Sequence, residues 1–167
     1  MQPSPFTTRA DLGLAWSVKD SFLQYIRGMS DGHIRWSGGA AVASTGQFYF
    51  PLDAVSRIDG ALELSFSGEV RFTAHRGLLS VTISDPLIRI VGGEGALSMR
   101  WGEKEELISK LDFPPLIIDN DVAMWLDTAA HLTGSGPDLF GGTYPENEQL
   151  APLTVRVPAT MVREGKQ

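Results

Sequence analysis

The sequence has no cysteine, no long apolar run and few cations. Without thiols it can form neither disulfides nor cysteine-ligated metal sites. No stretch approaches the ~20 apolar residues of a membrane-spanning helix, so we expect no membrane insertion. Lys and Arg total 14 against 20 Asp and Glu, and the formal net charge is -6. Because phosphate contacts need clustered cations, we do not expect nucleic acid as a partner.

The amino terminus has no basic segment followed by an apolar one, which is the pattern of an export signal. Residues 1–11 are rich in Pro, Ser and Thr, and we interpret them as a flexible lead-in. As the chain stands, this pattern predicts a cytoplasmic protein. An exported or cell-surface protein is the alternative if the native reading frame begins elsewhere.

Most of the chain has the two-residue alternation of β-strands, and 18 Gly with 10 Pro fit a fold with many turns. The predicted fold is mainly β (α+β), an antiparallel β-sandwich-like meander. It forms a single domain over residues 12–158, followed by a polar tail at 159–167. Strands are expected at residues 32–37, 47–50 (stopped by Pro51), 62–74, 79–83, 87–91, 96–101 and 153–157.

Residues 14–27 show a helical period and predict one amphipathic helix, ended by Gly28. Its apolar face would contain Leu14, Val18, Phe22, Tyr25 and Met29, with Ser21 at the edge one turn before Tyr25. Segments 103–111 and 122–132 fit helix or strand equally well. In the long strand 62–74, Gly68 predicts a bulge or bend.

Tyr25 and His75 are the candidate functional pair, since a phenol and an imidazole brought together can hold a ferric ion. His75 follows the polar register of strand 62–74, just before the Arg76–Gly77 turn. It would reach a site if the strand lines one or if Gly68 resets the register. The alternatives are a core tyrosine with a satisfied hydroxyl and a solvated turn histidine.

Three ordered segments carry a family resemblance: LAWSVKDSFLQY at 14–25, FSGEVRFTAH at 66–75 and LSVTISDP at 79–86. FGGTYP at 140–145 and LAPL at 150–153 add a weaker match. With these segments the chain resembles the HtaA-type haem-binding domain of bacterial haem-uptake proteins. The resemblance implies that this domain carries the site on its amino-terminal helix.

The resemblance also implies roles for individual residues. Tyr25 would bind the haem iron, His75 would hydrogen-bond Tyr25, and Ser21 and Tyr144 would contact the propionates. Thr143 stands where the family often has an aromatic residue, so Phe140 would replace that porphyrin contact. Phe22, with Val18 and Met29, would be an apolar neighbour of the porphyrin.

The implied cofactor is ferric haem b. A free phenol titrates near ~10, and a hard ferric ion favours an anionic oxygen and lowers the pKa of the phenol that binds it. The implied function is haem capture, transfer or storage, without enzymatic activity. Partners would be haem and another haem-binding or transport protein. A haem-dependent enzyme, peroxidase-like or haem-modifying, is one alternative and would need His33 or His131 as an acid–base group. A β-rich binding module that has lost haem is the other.

Overall fold

Thirteen strands and three short helices make up residues 9–163, the part of the chain that the computed structural model describes. The helices are α1 Asp20–Gly28, α2 Gly136–Leu139 and α3 Ala159–Arg163, and a 3-10 turn spans His75–Gly77. The strands are β1 Gly13–Trp16, β2 His33–Ser37, β3 Ala41–Val42, β4 Phe48–Ile58, β5 Ala61–Phe66, β6 Glu69–Ala74, β7 Leu79–Ser84, β8 Leu87–Val91, β9 Glu94–Trp101, β10 Lys104–Asp112, β11 Ile117–Asp119, β12 Val122–Leu132 and β13 Leu153–Pro158.

Eight antiparallel strands close into a barrel. Their pairing runs β1–β13–β12–β10–β9–β8–β5–β4 and returns to β1, because β4 pairs with β1 as well as with β5. Strand β3 adds to β4 and β11 adds to β12. The mainly-β, antiparallel prediction is confirmed. The sandwich is wrong, since a closed ring of pairings leaves no second layer to stack.

A separate antiparallel sheet, β2–β6–β7, packs with α1 against the barrel. Phe72 of β6 lies edge-to-face on Phe22 of α1, with ring centroids 5.3 Å apart. On another side it meets Phe48 of β4 at 5.5 Å. Such pairs stabilise a fold beyond the area they bury. Helix, sheet and barrel therefore share one hydrophobic core.

Gly68 divides the predicted strand 62–74 into β5 of the barrel and β6 of the small sheet. Its φ of 123° is open to glycine, and an added Cβ would lie 2.8 Å from the backbone nitrogen of Ala40. The backbone N–H of Gly68 donates to the carboxylate of Asp85 at 3.1 Å. The expected bend at Gly68 is therefore the point where the chain changes sheets.

The predicted helix 14–27 is wrong in its first turn. Residues 13–16 are strand β1, hydrogen-bonded to β4 on one side and β13 on the other. Val18 has φ 64°, which a helix cannot contain. Helix α1 buries Phe22, Leu23 and Ile26, so Tyr25 lies on its exposed side and not in the middle of an apolar face. The backbone hydrogen bonds that β1 makes to β4 and β13 outweigh the helical preference suggested by its side-chain pattern.

Pro51 does not stop its strand, because β4 continues to Ile58 across a register shift between Leu52 and Ala54. A proline beside a bulge is tolerated because the ladder is already interrupted there. The two ambiguous segments are both strands, and β10 lies inside the barrel sheet between β9 and β12.

At the ends of the chain, residues 1–8 of the predicted lead-in and 164–167 of the predicted tail lie outside the described residues. Ala159 and Val162 of α3 are buried, so the first part of the tail is not simply polar and packs on the domain. The bounds 12–158 stay a prediction. Within residues 9–163, no helix has the length and apolar character needed to cross a membrane.

Candidate functional site

Tyr25 and His75, separated by 50 residues, meet at the surface. The phenolic oxygen of Tyr25 lies 2.5 Å from Nε2 of His75, and the two ring centroids are 5.8 Å apart. Tyr25 is 47% exposed, so the hydrogen-bonded side chain is partly open to solvent. A neutral phenol donates this hydrogen bond to Nε2, whereas a phenolate accepts it from Nε2–H.

A left-handed turn directs His75 toward Tyr25. His75 and Arg76 have φ of 54° and 57°, and Gly77 follows with φ 87°. For residues other than glycine this region costs about 1–2 kcal/mol each. The turn closes when the N–H of Leu78 donates to the carbonyl of His75 at 3.1 Å. His75 thus reaches the pair by leaving the strand, and neither strand parity nor the register at Gly68 places it.

Polar contacts at the start of α1 fix the helix that carries Tyr25. The indole N–H of Trp16 donates to the carbonyl of Ala151 at 2.8 Å, and the N–H of Ala151 donates to the carbonyl of Val18 at 2.8 Å. Lys19 then pairs with Glu148 at 2.9 Å. These contacts hold Val18 in its left-handed conformation, which a β-branched residue adopts only under constraint.

Three aromatic rings form a chain beside α1. Phe22 meets Phe140 edge-to-face at 5.3 Å, and Phe140 meets Tyr144 at 5.4 Å. Gly141 and Gly142, at φ 69° and 80°, make the turn that brings Phe140 and Tyr144 together. Phe22 and Phe140 are 4% and 5% exposed, so both rings are buried, and Phe140 packs directly against Tyr144.

Ser21 lies on the exposed side of α1, one turn before Tyr25, so the two share one stripe of the helix. It lines a cleft of about 370 Å³ together with Lys19, Asp20, Glu148 and neighbouring residues. A larger cleft of about 650 Å³, lined by residues such as Asp53, Asp85 and Arg100, does not include the tyrosine–histidine pair.

The remaining residues considered from sequence lie in varied places. Val18 is fully buried, so it offers a cofactor no surface, and Met29 is half-buried. Thr143 is exposed in the turn before Tyr144. His33 is exposed on β2, where it pairs with Thr73. His131 forms a bridge with Gln149 on the barrel.

Two charged residues near the candidate site were missed by sequence reasoning. The ammonium of Lys19 lies 5.0 Å from the ring centroid of Tyr144, within the range of a cation–π contact. Asp31 accepts a hydrogen bond from the backbone N–H of Arg76 at 2.7 Å. This bond holds the pKa of Asp31 below its usual range. Asp31 precedes β2 in a turn, a usual place for a capping acid, which is the signal that could have identified it.

Comparison with known proteins agrees with this fold. The HtaA family model ("Htaa") matches residues 11–156. The C-terminal domain of HtaA from Corynebacterium glutamicum is 24% identical with a TM-score of 0.76, and the match covers 87% of this chain and 94% of that chain. The N-terminal domain of the same protein is 22% identical with a TM-score of 0.73, covering 87% and 96%.

The haem binding protein HtaB from the same organism is 23% identical with a TM-score of 0.65, covering 87% of this chain and 91% of that chain. Among curated proteins, none matches the sequence. At these identities the solved structures show the fold, while the family model covers most of the chain. The chain therefore belongs to the HtaA family of haem-binding domains.

Proposed function

We propose that this domain binds ferric haem b, with the phenolate of Tyr25 as axial ligand and His75 as its hydrogen-bond partner, for haem capture, transfer or storage. One observation carries the proposal: Tyr25 is a half-exposed residue whose phenolic oxygen lies 2.5 Å from His75 Nε2. Family membership supports haem as the cargo. The similarity in fold to HtaB, a haem binding protein, points the same way.

The donor set of the pair fits a haem iron. A single phenolate oxygen completes the coordination of an iron whose other ligands come with the macrocycle, and tyrosine is a known axial ligand. A hydrogen bond from Nε2–H stabilises the phenolate and orients it, as outer partners of metal ligands do. Since the chain has no cysteine, the haem would be held without thioether bonds, as haem b is.

The surroundings supply groups for the edge of the haem. Haem carries two propionates, and hydroxyl and ammonium groups bind carboxylates well. Ser21 is exposed on α1, and Tyr144 is partly exposed with the ammonium of Lys19 over its ring, so we propose that Ser21 and Tyr144 face the propionates. Phe22 and Phe140 would act indirectly, by fixing the Tyr144 ring.

Titration of the haem-free protein with hemin, followed by absorption spectroscopy, tests the proposal. Wild type should bind one hemin per chain and develop a tyrosinate-type ferric spectrum, and Tyr25→Phe should lose hemin on a desalting column. Tyr49→Phe is the matched control, because Tyr49 hydrogen-bonds to the carbonyl of Leu12 and not to His75. A wild-type protein that stays colourless would favour a module that has lost haem.

A haem carrier and a haem enzyme differ in how fast they consume peroxide. The hemin-loaded protein should consume peroxide no faster than free hemin, and should pass hemin to a second haem-binding protein. Peroxide turnover well above that of free hemin would replace the carrier with a peroxidase-like enzyme.

A further inference from the structure

We propose that Asp31 is the positioning residue of the tyrosine–histidine pair: its carboxylate holds the backbone of the 75–76 turn so that the His75 imidazole meets Tyr25. The importance of this contact for haem rests on the proposed function. The contact itself can be measured without haem, so the two can fail separately.

Asp31 is fixed to the helix that carries Tyr25. After α1 ends, the N–H of Met29 donates to the carbonyl of Ile26 at 3.2 Å, and the N–H of Gly32 donates to the carbonyl of Met29 at 3.0 Å. A Cβ on Gly32 would overlap the carbonyl oxygen of Ile26, so the chain must pass close to the helix here. This tight connection sets where the carboxylate of Asp31 lies relative to α1.

Asp31 also stands where β6 leaves its partner strand. His33 of β2 pairs with Thr73 of β6, and continuing that antiparallel register by two residues brings Asp31 opposite His75. The ladder cannot continue, because His75 and Arg76 turn into the left-handed region. The side chain of Asp31 takes over as acceptor, and receives the N–H of Arg76 at 2.7 Å.

The turn needs such an acceptor. Two consecutive residues other than glycine in left-handed conformations persist only when their surroundings hold them. A charged acceptor makes a stronger bond to a backbone N–H than a neutral one does. The lowered pKa of Asp31, caused chiefly by this bond, agrees with a carboxylate that stays ionised in place. One side chain thus connects the helix of Tyr25 to the turn of His75.

The test uses the whole chain, first without haem. Nitrogen NMR of the His75 ring reports its contact with Tyr25, and amide exchange reports the N–H of Arg76. In Asp31→Ala we expect faster exchange at Arg76 and a His75 ring signal like that of a solvated histidine. Asp31→Asn, which keeps an oxygen acceptor but not the charge, should give a signal between those of wild type and Asp31→Ala. Asp31→Glu keeps the charge but displaces the acceptor oxygen, so its His75 ring signal should resemble that of Asp31→Ala. It replaces Asp31→Ala in the test if that variant does not fold.

The second part measures hemin release to apomyoglobin. Removing an outer partner of a metal ligand typically weakens metal binding 10–100-fold. For Asp31→Ala we expect about tenfold faster release, the lower end of that range, because Asp31 acts through His75. In a His75→Ala background the same change should add nothing. Asp119→Ala, which removes an exposed acid on β11, is the charge control and should release hemin as wild type does.

An unchanged His75 ring signal in Asp31→Ala would overturn the proposal. So would a faster hemin release in Asp31→Ala that adds to the effect of His75→Ala in the double variant. If wild type binds no hemin, the proposed function fails, and the haem-free NMR still decides the role of Asp31.

Discussion

Replacement of His75 by asparagine isolates the hydrogen bond to Tyr25 from the backbone turn. Asparagine tolerates the left-handed conformation that His75 adopts at φ 54°, and its shorter side chain loses the 2.5 Å contact with the phenolic oxygen. Arg76→Asn is the matched control, since Arg76 occupies the same turn at φ 57° and uses its backbone to bond Asp31. Both variants should therefore fold like wild type.

The expected magnitude for His75→Asn follows from the chemistry of the lost bond. A hydrogen bond to a charged group contributes about 1.5–3 kcal/mol, and about 1.4 kcal/mol corresponds to a tenfold change in affinity. Because Tyr25 is 47% exposed, water replaces part of this bond, and we expect hemin to leave roughly 10–30-fold faster, in the lower part of the outer-partner range.

Stopped-flow transfer of hemin from the loaded protein to excess apomyoglobin measures this rate for wild type, His75→Asn and Arg76→Asn. The His75 variant should be faster, and the Arg76 variant should match wild type. Equal rates for wild type and His75→Asn would refute the reasoning that His75 stabilises the ligand. Equal acceleration in both variants would show that the turn, and not the imidazole, is what matters.

Three further predictions concern stability. Gly68→Ala should lower the free energy of unfolding in urea by about 2–6 kcal/mol, since backbone strain and overlap with Ala40 each cost about 1–3 kcal/mol. Gly92→Ala, at φ 66° with open space around it, should cost only about 1–2 kcal/mol. Equal losses in the two variants would contradict the role of Gly68 where the chain changes sheets. Tyr49→Phe should cost about 1 kcal/mol by loss of the hydroxyl bond to the carbonyl of Leu12, and no loss in the same assay would show that the bond is not stabilising. The pKa of Asp31 is lowered by its bond from the Arg76 N–H, so its stabilising effect is full above the unfolded value near ~3.9 and is lost as pH falls through the folded one. Thermal melting of wild type and Asp31→Ala should therefore converge at low pH, and a constant difference at all pH values would contradict this.

Side-chain patterns were sufficient to predict many of the strands. Alternating burial along β5 and β6 follows the alternation of the sequence, and Gly68 interrupts it where a bend was expected. The closed barrel was not predictable in this way, because closure depends on β4 pairing with both β1 and β5. Pairing between distant strands leaves no periodic signal in one sequence.

The first turn of the predicted helix failed for a related reason. Residues 14–16 have side chains that fit a helical face, but their backbone is paired on both sides within the barrel. Tertiary hydrogen bonding outweighs a short local period. The same error placed Tyr25 in the middle of an apolar face, although it lies on the exposed side of α1.

The sequence singled out Tyr25 and His75, and the structure places them in contact. The sequence could not show how the two side chains are brought together. The left-handed turn at His75 breaks the strand parity on which its orientation was argued, and Asp31 bonds that turn through a contact between residues 45 positions apart. Neither backbone φ nor a contact at that separation can be read from residue types alone.

Resonance Raman spectroscopy of the hemin-loaded protein tests the central claim most directly. Excitation into the band that joins tyrosinate to ferric iron should reveal vibrations of an iron-bound phenolate in wild type. Those vibrations should shift when the tyrosines carry ring deuterium, disappear in Tyr25→Phe and persist in Tyr49→Phe. A wild-type spectrum without them, or a Tyr25→Phe spectrum that retains them, would contradict the assignment of Tyr25 as the haem ligand.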